Sequence, residues 1–224
     1  MPPLRPTLDR VLTLVLTISA AAVAMAAVRA SFFSPRRGDS PQRPRHVENW
    51  ADASAFGYHA GGLNTAPVTI TVLFDLECRS CARYHKVASN AVLAHPNDVR
   101  LLYVNYPLEY HKQALPAARA ADCASAAGRF TAWVSAVYAK QDSLGLKSWG
   151  SYARDAGIPD TAKIAACARS QAPIGAIERG LAFGESIRLD ATPTVLVNGW
   201  VFPSPPRPAQ LDSAVNAEIR RRSR

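Results

Sequence analysis

Residues 68–85 read VTITVLFDLECRSCARYH, and the passage from an unbroken apolar run to a Cys-x-x-Cys pair is what decides the fold. Val68 to Phe74 is β-branched and apolar on both parities, the pattern of a strand buried on both faces. The segment from Cys78 through Leu93 fits a helix. Cys78-Arg79-Ser80-Cys81 therefore stands where a strand gives way to a helix N-terminus. There the backbone N–H groups lack helical partners and the helix dipole adds partial positive charge, so a thiolate is favoured over a thiol. Cys78 reads as the exposed, low-pKa nucleophile. Cys81 lies one turn further on, placed to attack a mixed disulfide on Cys78 and release its partner. Arg79 favours the thiolate and Glu77 opposes it. With Ser80 they are the residues expected to tune the redox poise.

Other readings of the pair are possible. Half of a zinc site needs a second pair of ligands at similar spacing, and Cys123 and Cys167 are not spaced as one. A purely structural disulfide closing so small a ring would constrain little chain entropy. A metal corner of Cys78, Cys81 and His85, suited to copper, is the third; the plain alternative for His85 is a surface histidine on the first helix.

Outward from this stretch the pattern keeps alternating. His95-Pro96-Asn97-Asp98 ends the helix, and Val99 to Asn105 (VRLLYVN) reads as the next strand. A run of helices follows: about Gln113 to Ala127, Phe130 to Gln141, Ser148 to Ala156, Asp160 as N-cap of a helix to Arg169, and residues 174–183. Thr194 to Val197 and Trp200 to Phe202 flank Asn198-Gly199, a strong hairpin signal. A last helix covers about Ala209 to Arg221. Pro193 opens the strand at Thr194, a place where a proline is either cis in a tight turn or an ordinary trans residue. The order is β, α, β, helical insert, β-hairpin, α.

Three stretches carry a family resemblance: residues 74–85, Ala191 to Gly199 (ATPTVLVNG), and the middle segment with Tyr106-Pro107-Leu108, His111, Ala117 to Ala124 and Gly128-Arg129-Phe130. Over about Ala66 to Val215 the chain resembles the DsbA-like thiol–disulfide oxidoreductases. The resemblance implies an α/β thioredoxin fold with an inserted helical subdomain at about 111–185, and a redox group that is the Cys78–Cys81 dithiol itself, with no cofactor and no metal. It implies that Thr192 and a cis Pro193 lie beside the Cys78 sulfur and pair with an extended substrate backbone. It further implies a structural disulfide between Cys123 and Cys167, the rival reading being two buried free thiols; a bridge would contribute about 4 kcal/mol in the chain-entropy model. Relatives often carry a histidine at the position of His85 without metal. Many have proline directly after the first cysteine, where this chain has Arg79, so oxidase, reductase and isomerase directions stay open. Oxidation, the favoured direction, would need re-oxidation by a membrane partner. The substrates implied are exported proteins with thiols or disulfides. No helical dimerisation segment is seen, which favours a monomer.

The chain has 224 residues and a formal charge of +9. The basic residues cluster at the ends: Arg29, Arg36, Arg37, Arg43 and Arg45 on one side, Arg220, Arg221, Arg222 and Arg224 on the other. Such ends suit solvated tails or an anionic membrane surface, and no nucleic-acid-binding motif accompanies them. Val11 to Val28 is an unbroken apolar run of 18 residues, which at about 1.5 Å per residue nearly crosses a bilayer core. It reads as a membrane anchor or, with Ala24-Met25-Ala26 or Val28-Arg29-Ala30 as cleavage sites, as a signal peptide. Either places the body outside the cytoplasm, in the periplasm or cell envelope, where cysteines form disulfides. The expected organisation is a leader or anchor at 1–30, a Pro/Arg-rich linker and transitional segment at 31–62, in which Trp50 and Phe56 suggest a short element docking on the domain edge and Gly61-Gly62 marks a turn, and a thioredoxin-like domain at 63–224.

Overall fold

Seven consecutive residues, Val68–Phe74, are all buried in the central strand β3, as its unbroken run of apolar and threonine side chains requires. The computed structural model describes residues 44–222 and, before them, Leu16 and Met25. The elements in order are β1 (Arg45–His46), a 3₁₀ helix (Glu48–Ala55), β2 (Tyr58–Gly62), β3, α1 (Arg79–Ala94), β4 (Val99–Asn105), α2 (Ala114–Ala126), α3 (Phe130–Ala139), a 3₁₀ turn (Gln141–Ser143), α4 (Trp149–Asp155), α5 (Thr161–Arg169), α6 (Gly175–Ser186), β5 (Thr194–Val197), β6 (Trp200–Val201) and α7 (Pro208–Arg222). This is an α/β thioredoxin fold carrying a helical insert. The readings of residues 1–30 as anchor or signal peptide, and of most of the linker, lie outside the described residues. Among the described residues no helix is long and apolar enough to cross a membrane.

The six strands order as β1-β6-β5-β3-β4-β2. β3 runs parallel to β4, with Val68 opposite Val99 and Phe74 opposite Asn105. It runs antiparallel to β5, with Leu73 opposite Thr194. Side chains alternate across a strand, so each strand feeds two cores. Val68, Ile70, Val72, Phe74, Val99, Leu101, Tyr103, Val195 and Val197 face α1 and α7 through Tyr84, Ala88, Leu211 and Val215. Leu73, Val104 and Leu196 face the other way, onto Ala53, Phe56, Phe183 and Ile187 from the first 3₁₀ helix and the end of α6. Asn198 and Gly199 both have positive φ, 43° and 86°, and turn β5 into β6.

Helices α2 to α5 pack on one another. Ala117, Ala120, Ala121 and Ala124 give α2 a buried face of small residues. Trp133 is fully buried among Trp149 and Tyr152, and its indole N–H donates to the Ala117 carbonyl at 3.3 Å. Cys123 on α2 and Cys167 on α5 are joined by a disulfide, with Cα atoms 6.5 Å apart. Asp160 caps α5, accepting from the Lys163 N–H at 2.9 Å.

One segment departs from the sequence reading. Within residues 45–62, β1 pairs with β6 and β2 with β4, while the 3₁₀ helix between them, with Trp50 and the following Phe56, docks on the second core as expected. Gly61-Gly62 forms no turn. The two glycines follow a register shift between His59 and Gly61 within β2. Gly62 has φ +76°, and a Cβ there would lie 1.8 Å from the Val99 carbonyl oxygen, so only glycine lets the backbones approach this closely.

Candidate active site

The site begins with Asp75, the residue after β3. Its side chain is wholly buried, and it organises two loops at once. One carboxylate oxygen accepts from the Glu77 N–H at 2.7 Å. The other accepts from the Leu108 N–H at 2.9 Å and from His111 Nδ1 at 2.8 Å. Its carbonyl accepts from the Cys78 N–H at 3.2 Å and from the Tyr138 hydroxyl at 3.2 Å. Gln141 adds a third tie, donating to the Leu76 carbonyl at 2.9 Å. The loop leading into α1 is thereby held by the loop after β4 and by the end of α3.

Cys78 takes the N-cap position of α1, with extended backbone angles. Its thiol donates to the Thr192 carbonyl at 3.3 Å. Cys81 lies one turn inward, 2% exposed, and accepts from the Asp75 N–H at 3.5 Å. Both are free thiols in this structure. Cys78 is less open than its sequence position suggests. At 8% exposure it is covered by the Thr192 loop and lines a cleft of about 590 Å³ with Arg79, Ser80, Tyr110, His111 and Thr192 among others.

The two thiols are pushed in opposite directions. Cys78 is lowered to about 5. Hydrogen bonding from Cys81 is the largest cause, and the Thr192 side chain and the N–H groups of Cys81 and Ser80 add to it against the opposing effect of burial. Cys81 is raised well above the ordinary thiol range, by burial first and then by its hydrogen bond and charge interaction with Cys78. The Thr192 hydroxyl is buried and has no hydrogen-bond partner among the described residues while Cys78 is a thiol. A thiolate at 78 supplies one. The Thr192–Pro193 peptide bond is cis.

The expected tuning residues sit at the rim. Arg79 pairs with Asp142 at 2.7 Å, both side chains largely in water, so its charge is shared and screened. Glu77 accepts from the Gln113 N–H at 2.5 Å. The Ser80 hydroxyl accepts from Arg83 at 2.9 Å. None of the three side chains is among the main causes of the Cys78 shift. Backbone and thiol hydrogen bonds at the helix N-terminus dominate instead.

His85 is not fully exposed on the surface of α1. Its ring is partly buried, with Nδ1 bonded to the Tyr103 hydroxyl at 2.8 Å and Nε2 to Ser135 Oγ at 3.2 Å. Burial pushes its pKa down. Among the described residues no group of three His, Cys, Asp or Glu side chains is arranged to hold a metal ion. Sequence reasoning passed over Asp75, Tyr138 and Gln141, and assigned no role to His111. The one available signal was a carboxylate at the end of an otherwise apolar strand, three residues before Cys78. Its partners lie 33 and 36 residues away, where no local pattern reaches.

Comparison with known proteins agrees with this geometry. A family model described as "Thioredoxin" matches residues 56–217. Among solved structures, DsbA2 of Pseudomonas aeruginosa is 26% identical with a TM-score of 0.59, covering 72% of this chain and 93% of that one. Oxidised BdbD from Bacillus subtilis is 18% identical with a TM-score of 0.65, covering 80% and 97%. Two curated proteins named Na(+)/H(+) antiporter NhaA 1, from Mycolicibacterium gilvum and Mycolicibacterium vanbaalenii, are 34% and 33% identical over 164 residues, 71% of this chain and 26% of theirs. The chain thus spans about a quarter of the length of the curated relatives it matches, and their name describes proteins far larger than the shared region.

Proposed function

The chain belongs to the thioredoxin family, and from that premise we propose that it is a DsbA-like thiol–disulfide oxidoreductase that donates the Cys78–Cys81 disulfide to exported proteins. In this reading a substrate thiolate attacks Cys78 Sγ, Cys81 leaves, and a mixed disulfide forms. A second substrate thiolate then displaces Cys78 and closes the substrate disulfide. Thr192 and Pro193 line the approach and meet the extended backbone of the substrate. The observation that carries the direction is the placement of Cys78 at the N-cap of α1, where the N–H groups of Ser80 and Cys81 meet its sulfur. A site that stabilises the Cys78 thiolate stabilises the reduced enzyme, and so makes the disulfide form the better oxidant.

Work outside the cytoplasm is supported by the apolar run from Val11 to Val28 and by the Cys123–Cys167 disulfide. The run would tether the domain near a membrane partner able to re-oxidise it. The basic ends of the chain suit an anionic membrane surface, and the protein would act as a monomer.

The test is equilibration of the full chain in graded glutathione buffers, with the Cys78/Cys81 state trapped by alkylation. A potential well above that of thioredoxin, about −270 mV, is expected. A value at or below that figure would overturn the donor direction and make the protein a reductase. In the same assay Cys78→Ser should abolish exchange, and Cys81→Ser should accumulate mixed disulfides.

A further inference from the structure

We infer that His111 is the general base of the exchange, taking the proton of the incoming substrate thiol in the cleft, and that Asp75 is the positioning residue that sets its tautomer. The inference rests on the thiol–disulfide exchange proposed above. The Asp75 carboxylate can only accept, so the His111 nitrogen 2.8 Å from it, Nδ1, carries the proton. In a neutral imidazole the lone pair then resides on Nε2. No hydrogen bond engages His111 Nε2 among the described residues. The ring is 22% exposed and lines the cleft that holds Cys78 and Thr192. None of the other four histidines combines these features: His59 is exposed on β2 and does not line the cleft. His85 has both nitrogens bonded, His46 is held by Glu48 and the Asn198 carbonyl, and His95 pairs with Asp212.

The reaction needs such a group. An ordinary cysteine thiol, with a pKa of about 8.5, is mostly protonated at neutral pH, and only the thiolate attacks a disulfide. In the oxidised enzyme Cys78 and Cys81 are bonded to each other and neither can serve as base. Among the other charged or titratable groups around the ring, Asp75 is buried and committed to three donors, and Glu77 accepts from Gln113 N–H. Arg79 and Asp142 pair with each other at the rim. Tyr110 stacks edge-on against His111 with ring centres 4.6 Å apart. Glu109 and Lys112 flank the ring on its own loop, and both line the neighbouring surface.

The step balances. His111 Nε2 takes the proton of the substrate S–H, and the sulfur's electron pair forms a bond to Cys78 Sγ. The Cys78–Cys81 bond breaks with its pair on Cys81, which takes up a proton. A second substrate thiolate attacks the substrate sulfur of the mixed disulfide, and Cys78 leaves as a thiolate. Two substrate thiols are oxidised to one disulfide and the enzyme disulfide is reduced. One proton ends on Cys81 and the other goes to solvent.

The experiment follows single-turnover reduction of the oxidised full chain, quenched with acid, from pH 5 to 9. Two probes are used: glutathione, and an aromatic thiol already ionised at neutral pH. His111→Asn keeps an N–H for Asp75 but has no basic lone pair. It should slow the glutathione reaction about a hundredfold at pH 7, with the deficit shrinking as pH rises past the thiol's own pKa. It should leave the aromatic thiolate reaction and the equilibrium with glutathione unchanged. Asp75→Asn should give the same thiol-selective loss to a smaller degree. Equal slowing with both probes at every pH, or no slowing with either, overturns the inference and leaves the exchange reading intact. If the oxidised wild-type chain reacts with neither probe, the exchange reading falls and the inference with it.

Discussion

At position 78 one sulfur atom meets the unpaired N–H groups of a helix start, the thiol of Cys81 and the Thr192 loop. The N–H groups, the Cys81 thiol and the Thr192 side chain hold the charged sulfur more strongly than the neutral one and together outweigh burial, while the donation to the Thr192 carbonyl is lost on ionisation. Alkylation of Cys78 by iodoacetamide in the reduced protein should therefore follow a titration centred near pH 5, and Thr192→Val should move that midpoint upward. The same shift has a consequence for stability. The folded pKa, about 5, lies below the ordinary thiol value of about 8.5, so ionisation favours the folded dithiol protein. That contribution is fully present above the unfolded pKa and is lost as pH falls through the folded one. Urea midpoints of the reduced protein should thus drop between pH 8 and pH 4.5, and drop less in Cys78→Ala. An equal drop in both would refute the linkage. The two cysteines and their spacing were legible in the sequence because strand, Cys-x-x-Cys and helix are contiguous. Asp75 and His111 as a pair were not, because a hydrogen bond across 36 residues has no local signature.

Among the elements, β2 was the least legible. Tyr58–Gly62 contains two glycines and a histidine, with neither the alternation nor the β-branched residues that mark a strand. Its state is decided by β4, whose free edge it covers. Gly62→Ala tests that dependence. The side chain would collide with the Val99 carbonyl at a positive φ, and a loss of about 2 kcal/mol or more in unfolding free energy is expected by chemical denaturation. In the insert, Trp133 fills the space between α2, α4 and its own helix. Trp133→Ala should cost about 3–5 kcal/mol, read in the same way. A loss under 1 kcal/mol would mean that the helices close over the cavity. The helices of the insert were readable one by one, since alanine-rich faces, Asp160 and Ser148 are local signals.

For the whole molecule, the Cys123–Cys167 disulfide ties α2 to α5 across 44 residues of sequence, away from the Cys78 cleft. Replacing both cysteines by serine should lower stability by about 4 kcal/mol while leaving the rate of Cys78 alkylation as it was. If that rate falls as well, the insert and the cleft are coupled through the Asp75 loop. Such coupling has a structural route, since Tyr138 and Gln141 reach from the end of α3 to the carbonyls of Asp75 and Leu76.

Sequence alone determined the central strand, the helix that begins at the cysteine pair, the hairpin at Asn198-Gly199 and the order of elements between them. Each of these is set by the chemistry of neighbouring residues: side-chain periodicity, N-caps, and glycine or asparagine at positive φ. Tertiary structure decided the rest. It made edge strands of Arg45–His46 and Tyr58–Gly62, drew both ring nitrogens of His85 into hydroxyl contacts, covered Cys78 with the Thr192 loop, and set a buried carboxylate beneath His111. Those outcomes depend on groups far apart in the chain, and only the packing of sheet, first helix and insert brings them within hydrogen-bond distance.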